Sequence, residues 1–405
     1  MGRMLLCLAI GTVATAQVSW KNAMRQPAGW YGSAEAVRMA DNLLLYQQAI
    51  GGWDKNIDMA QPPPATGAAG RATIDNGATY TQMKFLARVH QVAPQARFAA
   101  SFRRGFEYVL RAQYPNGGWP QFYPLRDGYW SHITYNDDAM IGVMELLRAI
   151  VERKPEYGFL SDTERTRARE AVEKGIECIL KTQVRQKGNL TAWCAQHDER
   201  TLAPAKGRAY ELPSLSGGES VGIVRFLMGI ERPSPEVVRA IKGAVAWFDA
   251  VKITGIRVVE QPAPGTPKGM DRVVVADPGA PPLWARFYEL GSNRPMFCGR
   301  DGVVKYTLAE IEYERRNGYR WYVDSPAAVL ERDYPNWALT HRLTNGCRRE
   351  DIGIGDGRQA VLRAFSSGKG FMIPFTGEPL QRRKCIEPVH NLGGYRLPRL
   401  AGCES

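Results

Sequence analysis

The sequence predicts a mainly α protein in which helical hairpins close into a ring. Two observations carry this. Apolar residues recur at helical spacing through long stretches up to Val251, and three of those stretches end alike. The shared ending is glutamine, a Gly-rich turn, then tryptophan. It reads Gln47-Gln48-Ala49-Ile50-Gly51-Gly52-Trp53, then Gln113-Tyr114-Pro115-Asn116-Gly117-Gly118-Trp119, then a weaker Gln183 to Asn189 that reaches Trp193. The unit returns every roughly 65 to 75 residues, longer than the usual solenoid repeat and suited to a closed ring of helical hairpins.

The elements follow in order. Ser33 to Ile50 sets Val37, Ala40, Leu43, Leu44 and Gln47 near one face, with Ser33 as N-cap. Pro62 to Gly70 is a Pro/Gly/Ala loop, and Gly77 to Val92 is a second helix stopped before Pro94. Ala99 to Gln113 turns Phe102, Phe106, Val109 and Leu110 inward, and Asp137 to Arg153 carries a stripe of Ile141, Met144, Leu147 and Ile150. Ser161-Asp162-Thr163-Glu164 is a capping signal for a helix to about Lys181. Gly217 to Ile230 and Pro235 to Val251 complete the series, the last with Pro in its first turn. After residue 252 the pattern changes. Ile256 to Val259, Arg272 to Val275 and Arg320 to Val323 read as short strands, and Thr307 to Arg316 and Pro326 to Leu339 as helices. The expected division is a signal segment at 1–16, a helical domain at 17–340 and an irregular tail at 341–405.

Composition narrows the function. The 405 residues are 44% hydrophobic and 23% charged, an ordinary globular balance, but the net charge is +12. That charge is either solvated surface arginine or a match for a polyanion. Arg3, the apolar run Met4 to Val13 and Ala14-Thr15-Ala16 have the layout of a signal peptide cleaved after Ala16. The run is too short to span a bilayer, so an exported protein with no membrane segment is expected. Export disfavours nucleic acid and favours an extracellular polyanion. Six cysteines remain after Cys7 leaves with the signal; they permit disulfides, and no C-x-x-C pair suggests zinc.

After each tryptophan a loop leads to a polar cluster at the next helix start: Asp75-Asn76-Gly77, Asn136-Asp137-Asp138, and Arg208 through Glu219. Asp and Asn there serve as N-caps, but a cap needs one oxygen and these clusters supply several. Carboxylate and amide oxygens from two repeats suit a hard cation such as calcium, with water and an anionic substrate completing its shell. The third cluster differs. Lys206, Arg208 and Tyr210 lie among Gly and Pro, as do Arg294 and Arg300 further on. Guanidinium groups fixed in this way are carboxylate clamps.

With these residues assembled, the chain resembles the family 10 pectate lyases, whose fold is an (α/α)3 toroid. The motifs are Gly51-Gly52-Trp53-Asp54-Lys55-Asn56, Asp75 to Thr79, Gly117-Gly118-Trp119-Pro120-Gln121-Phe122-Tyr123-Pro124, Tyr135 to Met140, Arg208 to Ser214, and Asn293-Arg294-Pro295 with Arg300-Asp301-Gly302. They run in order from about residue 30 to 340, and the tail carries no part of the resemblance. The resemblance implies calcium on Asp75, Asn76 and Asp137, Arg208 as catalytic base, and substrate carboxylates on Arg294 and Arg300, with Lys206 and Tyr210 beside them. It implies a monomeric, secreted enzyme that cleaves polygalacturonate by β-elimination and leaves 4,5-unsaturated products.

An arginine base is demanding. At pH 9, deprotonating a side chain of pKa about 12.5 to 13.8 costs roughly 5 to 6.5 kcal/mol. Calcium, Lys206 and neighbouring arginines are expected to lower that pKa. Two rival readings use the same residues. A helical-toroid glycoside hydrolase would draw its acid and base from Asp137, Asp138 or Glu219, and a non-catalytic pectin-binding protein would release no product.

Overall fold

The computed structural model describes residues 17–344 apart from 66, 68 and 69, and four short strands beyond them. The signal segment expected at 1–16, with Cys347 and Cys403, lies outside the described residues. The helices are α1 (Trp20–Ala23), α2 (Ala34–Tyr46), α3 (Tyr80–Val92), α4 (Ala96–Ala112), α5 (Ala139–Val151), α6 (Asp162–Thr182), α7 (Glu219–Met228), α8 (Pro235–Val251) and α9 (Tyr313–Gly318).

Sequence decides which helices lie inside. In α5, Met140, Ile141, Val143, Met144, Leu146 and Leu147 are all buried, so the helix is apolar nearly all round and must be enclosed. It packs against α3 and α7. By contrast α6 buries one stripe, including Ala168, Ala171, Gly175, Cys178 and Ile179. It covers α5, as α4 covers α3 and α8 covers α7. Inner helices α3, α5 and α7 thus alternate along the chain with outer helices α2, α4, α6 and α8: an α/α toroid.

The Gln-to-Trp turn is the stitch of this ring. Trp53, Trp119 and Trp193 are fully buried, each removing about 200 Å² from water for about 5 kcal/mol. Each indole Nε1 donates to a carbonyl of the outer helix just left: Leu43, Val109 and Ile179, all at 2.8 Å. The glutamine Nε2 closes the turn and also reaches the next outer helix. Gln47 donates to Gly51 and Ser101, Gln113 to Gly117 and Ala171, and Gln183 to Thr191 and Ala240. Gly51 and Gly117 are required. Both have positive φ, and a Cβ would lie 2.3 Å from the Arg104 carbonyl or 2.0 Å from that of Lys174. The third copy is weaker because its turn is a small hairpin pairing Arg185–Gln186 with Asn189–Leu190. A fourth copy emerges here: Trp284, also fully buried, donates to Phe248 of α8 at 2.8 Å.

The helices start and stop where local chemistry dictates. Ser33 caps α2, and Ser161 with Glu164 forms a capping box on α6. The expected starts at Gly77 and Asp137 move to Tyr80 and Ala139, because Asn76, Thr79, Asp137 and Asp138 have positive φ. Likewise α2 ends at Tyr46, since Gln47 is extended. The expected helix over 307–316 divides into a 3-10 turn, Leu308–Glu310, and α9.

Short antiparallel pairs tie the loops together. Ile133–Thr134 pairs with Gln196–His197, Leu215–Ser216 with Phe287–Tyr288, and Trp284–Ala285 with Tyr322–Val323. A longer ribbon joins Ile256–Pro262 to Met270–Ala276. Cys178, Cys194 and Cys298 are buried free thiols, so they form none of the disulfides that composition permits.

The chain divides into two compact units, residues 1–327 and 328–405. In the second, a π-helical turn, Val329–Asp333, runs into the helix Tyr334–Thr344. Within the expected irregular tail, Val361–Leu362 pairs with Phe371–Met372 and Lys384–Glu387 with Arg399–Gly402.

Candidate active site

The repeat places the polar clusters in register. After each tryptophan the chain returns so that a backbone N–H bonds the tryptophan carbonyl: Thr73 to Trp53 at 3.0 Å, Thr134 to Trp119 at 3.0 Å, Ser216 to Trp193 at 2.7 Å. Two and three residues later come Asp75-Asn76, Asn136-Asp137 and Gly218-Glu219. Asn76, Asp137 and Glu219 are therefore equivalent positions. Asn76 and Asp137 share a left-handed backbone, φ 49° and 52°, which short polar side chains tolerate. The two 3-10 turns that carry them, Asp75–Gly77 and Asn136–Asp138, pack against each other, and the second also meets α7.

The carboxylates have unequal partners. Asp75 is 3% exposed. Its Oδ2 accepts from Lys55 Nζ and, at 2.5 Å, from Gln121 Nε2, while its buried Oδ1 has no partner. Asn76 Nδ2 donates to Asn56 at 3.2 Å. Asp137 Oδ2 accepts from Asn136 Nδ2 at 2.7 Å, and Arg286 Nη2 lies 3.3 Å from its Oδ1. That same Nη2 donates to Glu219 Oε1 at 2.5 Å and to Asn136 Oδ1 at 3.2 Å. Burial works to lower the Arg286 pKa, but Glu219, Tyr319 and Asp137 outweigh it and hold the guanidinium charged. Asp138 has its carboxyl pushed up to about 6 by partial loss of water, part of its surface still meeting solvent, and by Glu219, Glu145 and Asp137.

Arg208 stands in a second group. Its Nε and Nη2 grip Glu211 Oε2 and Oε1 at 2.9 and 2.5 Å, a two-point pair. Burial alone would depress the Arg208 pKa, yet Glu211 raises it well above the ordinary arginine range, opposite to the expected lowering. The reason is local: Glu211, 3% exposed, follows three residues later and turns back onto the guanidinium. Tyr319 joins the two groups, because its hydroxyl donates to Glu211 Oε1 at 2.8 Å and its ring lies 4.7 Å from Arg286.

The remaining expected residues fall as follows. Tyr210 is buried with Phe287, Phe297 and Trp321, and its ring lies under Arg208 at 5.0 Å, Arg315 at 4.6 Å and Arg300 at 6.0 Å. Tyr210 therefore meets arginines rather than solvent. Arg300 is exposed and paired with Glu314. Arg294 lies apart from the Tyr210 group, over Tyr306 at 3.4 Å. Lys206 is exposed.

Lys55 and Gln121 stand in the motifs above without an assigned role and Arg286 stands outside them, yet one signal marks all three. Each stands two residues after a repeat tryptophan: Trp53, Trp119 and Trp284. Glu211 and Tyr319 have no such signal.

Among the described residues, two groups of donors could hold a metal. His132, Asp198 and Glu199 bring ligand atoms within 4.8 Å of one another, but Asp198 Oδ1 is taken by the Arg200 and Thr201 backbone and the Thr201 hydroxyl. Asp75, Asn76 and Asp137 offer only oxygen in packed turns, with one buried carboxylate oxygen unpartnered, and fit a hard cation better.

Oxygen donors at the starts of inner helices and paired arginines in nearby loops thus gather on a helical toroid. The family model described as pectic acid lyase matches residues 47–330. A family 10 polysaccharide lyase from Cellvibrio cellulosa has a similar structure: 36% identity, TM-score 0.68, covering 77% of this chain and 94% of that one. A mutant of the Cellvibrio cellulosa family 10 lyase in complex with trigalacturonic acid is similar at 35% identity and TM-score 0.68, covering 77% and 95%. No curated protein matches at a significant level. The chain belongs to the pectic acid lyase family, as a pectate lyase of polysaccharide lyase family 10.

Proposed function

We propose that this chain is a secreted enzyme that cleaves polygalacturonate by calcium-dependent β-elimination. The observation that carries the calcium part is the buried, unpartnered Asp75 Oδ1 beside Asn76 and Asp137. Those three residues would hold the cation. Bound there, calcium would neutralise the substrate carboxylate and make the adjacent C5 proton more acidic. Arg208 takes the C5 proton. The C5–H electrons become the C4=C5 double bond, and the C4–O bond breaks toward the glycosidic oxygen, which takes a proton from solvent. Arg300 and Lys206 offer positive charge to neighbouring uronates beside Arg208, Arg294 offers it further along, and Tyr210 supports the arginines from beneath. The net charge of +12 supports a polyanionic substrate, and the trigalacturonic acid complex of the Cellvibrio lyase supports a galacturonate polymer. The Met1 to Ala16 pattern supports export, and a monomer completes the reading.

Glu211 sets the condition for the base. Arg208 can lose a proton only when its two-point pair with Glu211 is loosened, and Tyr319 offers that carboxylate another donor. The same pair favours a second reading, in which Arg208 stays charged and clamps a uronate. Incubation with polygalacturonate at about pH 9, with calcium or with chelator, tests the reaction through the ultraviolet absorbance of the unsaturated product. Arg208→Ala should abolish turnover and leave polymer binding within about threefold. Arg208→Lys separates the roles. A lysine base, with its lower pKa, moves the rising limb of kcat to lower pH, whereas a lysine clamp raises KM and leaves that limb in place. No calcium-dependent product from the wild type would overturn the lyase reading.

A further inference from the structure

Glu219 occupies the third-repeat position equivalent to Asn76 and Asp137, yet the group it binds is a guanidinium. Its side chain is 5% exposed, with one oxygen on Arg286 Nη2 at 2.5 Å and the other taking the Ser216 hydroxyl. Arg286 is 12% exposed and touches Asp137 Oδ1 only at 3.3 Å, so it leans toward Glu219. We infer that Glu219 is a positioning residue that holds Arg286 back from Asp137 and so keeps Asp137 available to calcium. This rests on the calcium reading above.

Charge and geometry agree on the sign. Asp75, Asp137 and Glu219 bring negative charge to this end of the ring, against Lys55 and Arg286. Removing the Glu219 charge weakens the field that draws a divalent cation. It also leaves a buried guanidinium without its main partner, and a buried cation seeks the nearest carboxylate. That carboxylate is Asp137. Both effects weaken calcium binding, and the second is relieved by removing Arg286. A third cation ligand at position 219 would differ in the double variant, where removing Arg286 could not restore the lost ligand.

Isothermal calorimetry with calcium alone tests this without turnover. Wild type should bind one calcium ion. Glu219→Gln, which retains an acceptor for Ser216, should weaken binding at least tenfold at unchanged helicity by circular dichroism. Arg286→Met should tighten binding at least threefold. The double variant Glu219→Gln/Arg286→Met should recover to within threefold of wild type. Glu219→Gln binding within twofold of wild type would overturn the inference, as would a double variant as weak as Glu219→Gln alone. Should Glu219→Gln fail to fold, Arg286→Met still decides: unchanged or weaker calcium binding refutes the restraint. A wild type that binds no calcium would overturn the underlying site, a result distinct from failure of the restraint.

Discussion

Acidification should loosen the loop behind Asn136 and Asp137, and His197 sets how much. His197 is fully buried, and both ring nitrogens are used: Nε2 accepts from Cys194 N at 3.1 Å and Nδ1 donates to the Leu202 carbonyl at 2.9 Å. Burial lowers its pKa to about 4 from the ordinary 6.5. A proton on Nε2 would remove the acceptor that Cys194 needs. The folded pKa lies below the unfolded one, so the unfolded chain binds the proton first and stability falls as pH drops through 6.5 toward 4. The loss from this one residue is about 2 kcal/mol at pH 5 and about 3 kcal/mol at pH 4, at about 1.36 kcal/mol per unit. The consequence reaches the site, because His197 pairs with Ile133 and the Tyr135 and Asn136 N–H groups bond the neighbouring Ala195 carbonyl. Urea unfolding of wild type and His197→Gln at pH 7.5, 5.5 and 4.5 measures this. Gln destabilises at neutral pH but removes the acid-dependent part, so the gap between the two proteins should narrow by about 2 kcal/mol toward pH 5. A constant gap would refute the reasoning.

Other outcomes follow from the same geometry. Gln113→Ala strips a donor from the Gly117 and Ala171 carbonyls and should cost about 2 kcal/mol in urea unfolding. Lys55→Met takes the ammonium from Asp75, so melting temperature in chelator should fall while the rise on adding calcium grows. Asp138 has a raised folded pKa, so its contribution is present at about pH 4 and lost as pH rises through 6; Asp138→Asn should raise the melting temperature at pH 8 and not at pH 4. The rise should be modest, because water reaches this side chain.

The ring was legible because its determinants are local. Helical spacing in α5 and the Gln-to-Trp endings lie within single stretches, and each names a contact the structure makes. Helix starts at Gly77 and Asp137 were misplaced because the left-handed turns at Asn76 and Asp137 read in sequence like caps. The fourth tryptophan was hidden by the ribbon Ile256–Ala276, which separates Trp284 from α8, and Arg286 was hidden with it. The Arg208 environment was reversed by one residue. Lys206, Arg208 and Arg300 suggested crowding cations, whereas Glu211 sits close enough to neutralise the guanidinium. Partner choice among nearby charges is a three-dimensional fact that spacing does not supply.

The N–H donors of the hooks that join the repeats all end on backbone carbonyls; in the first, the glutamine oxygen also takes side-chain donors, from Ser101 and Arg104. Tryptophan and glutamine grasp Val109, Ser101 or Ala240 through atoms every residue possesses. The outer helices can therefore exchange most side chains without unfastening the ring, except where Gly105 and Gly175 leave room for Trp53 and Trp119. Between one hook and the next, a loop can carry a carboxylate, a guanidinium or a long ribbon under the same mechanical support. The scaffold asks little of side-chain identity at the carbonyls where it is fastened, which leaves the chemistry at its rim free to differ from repeat to repeat.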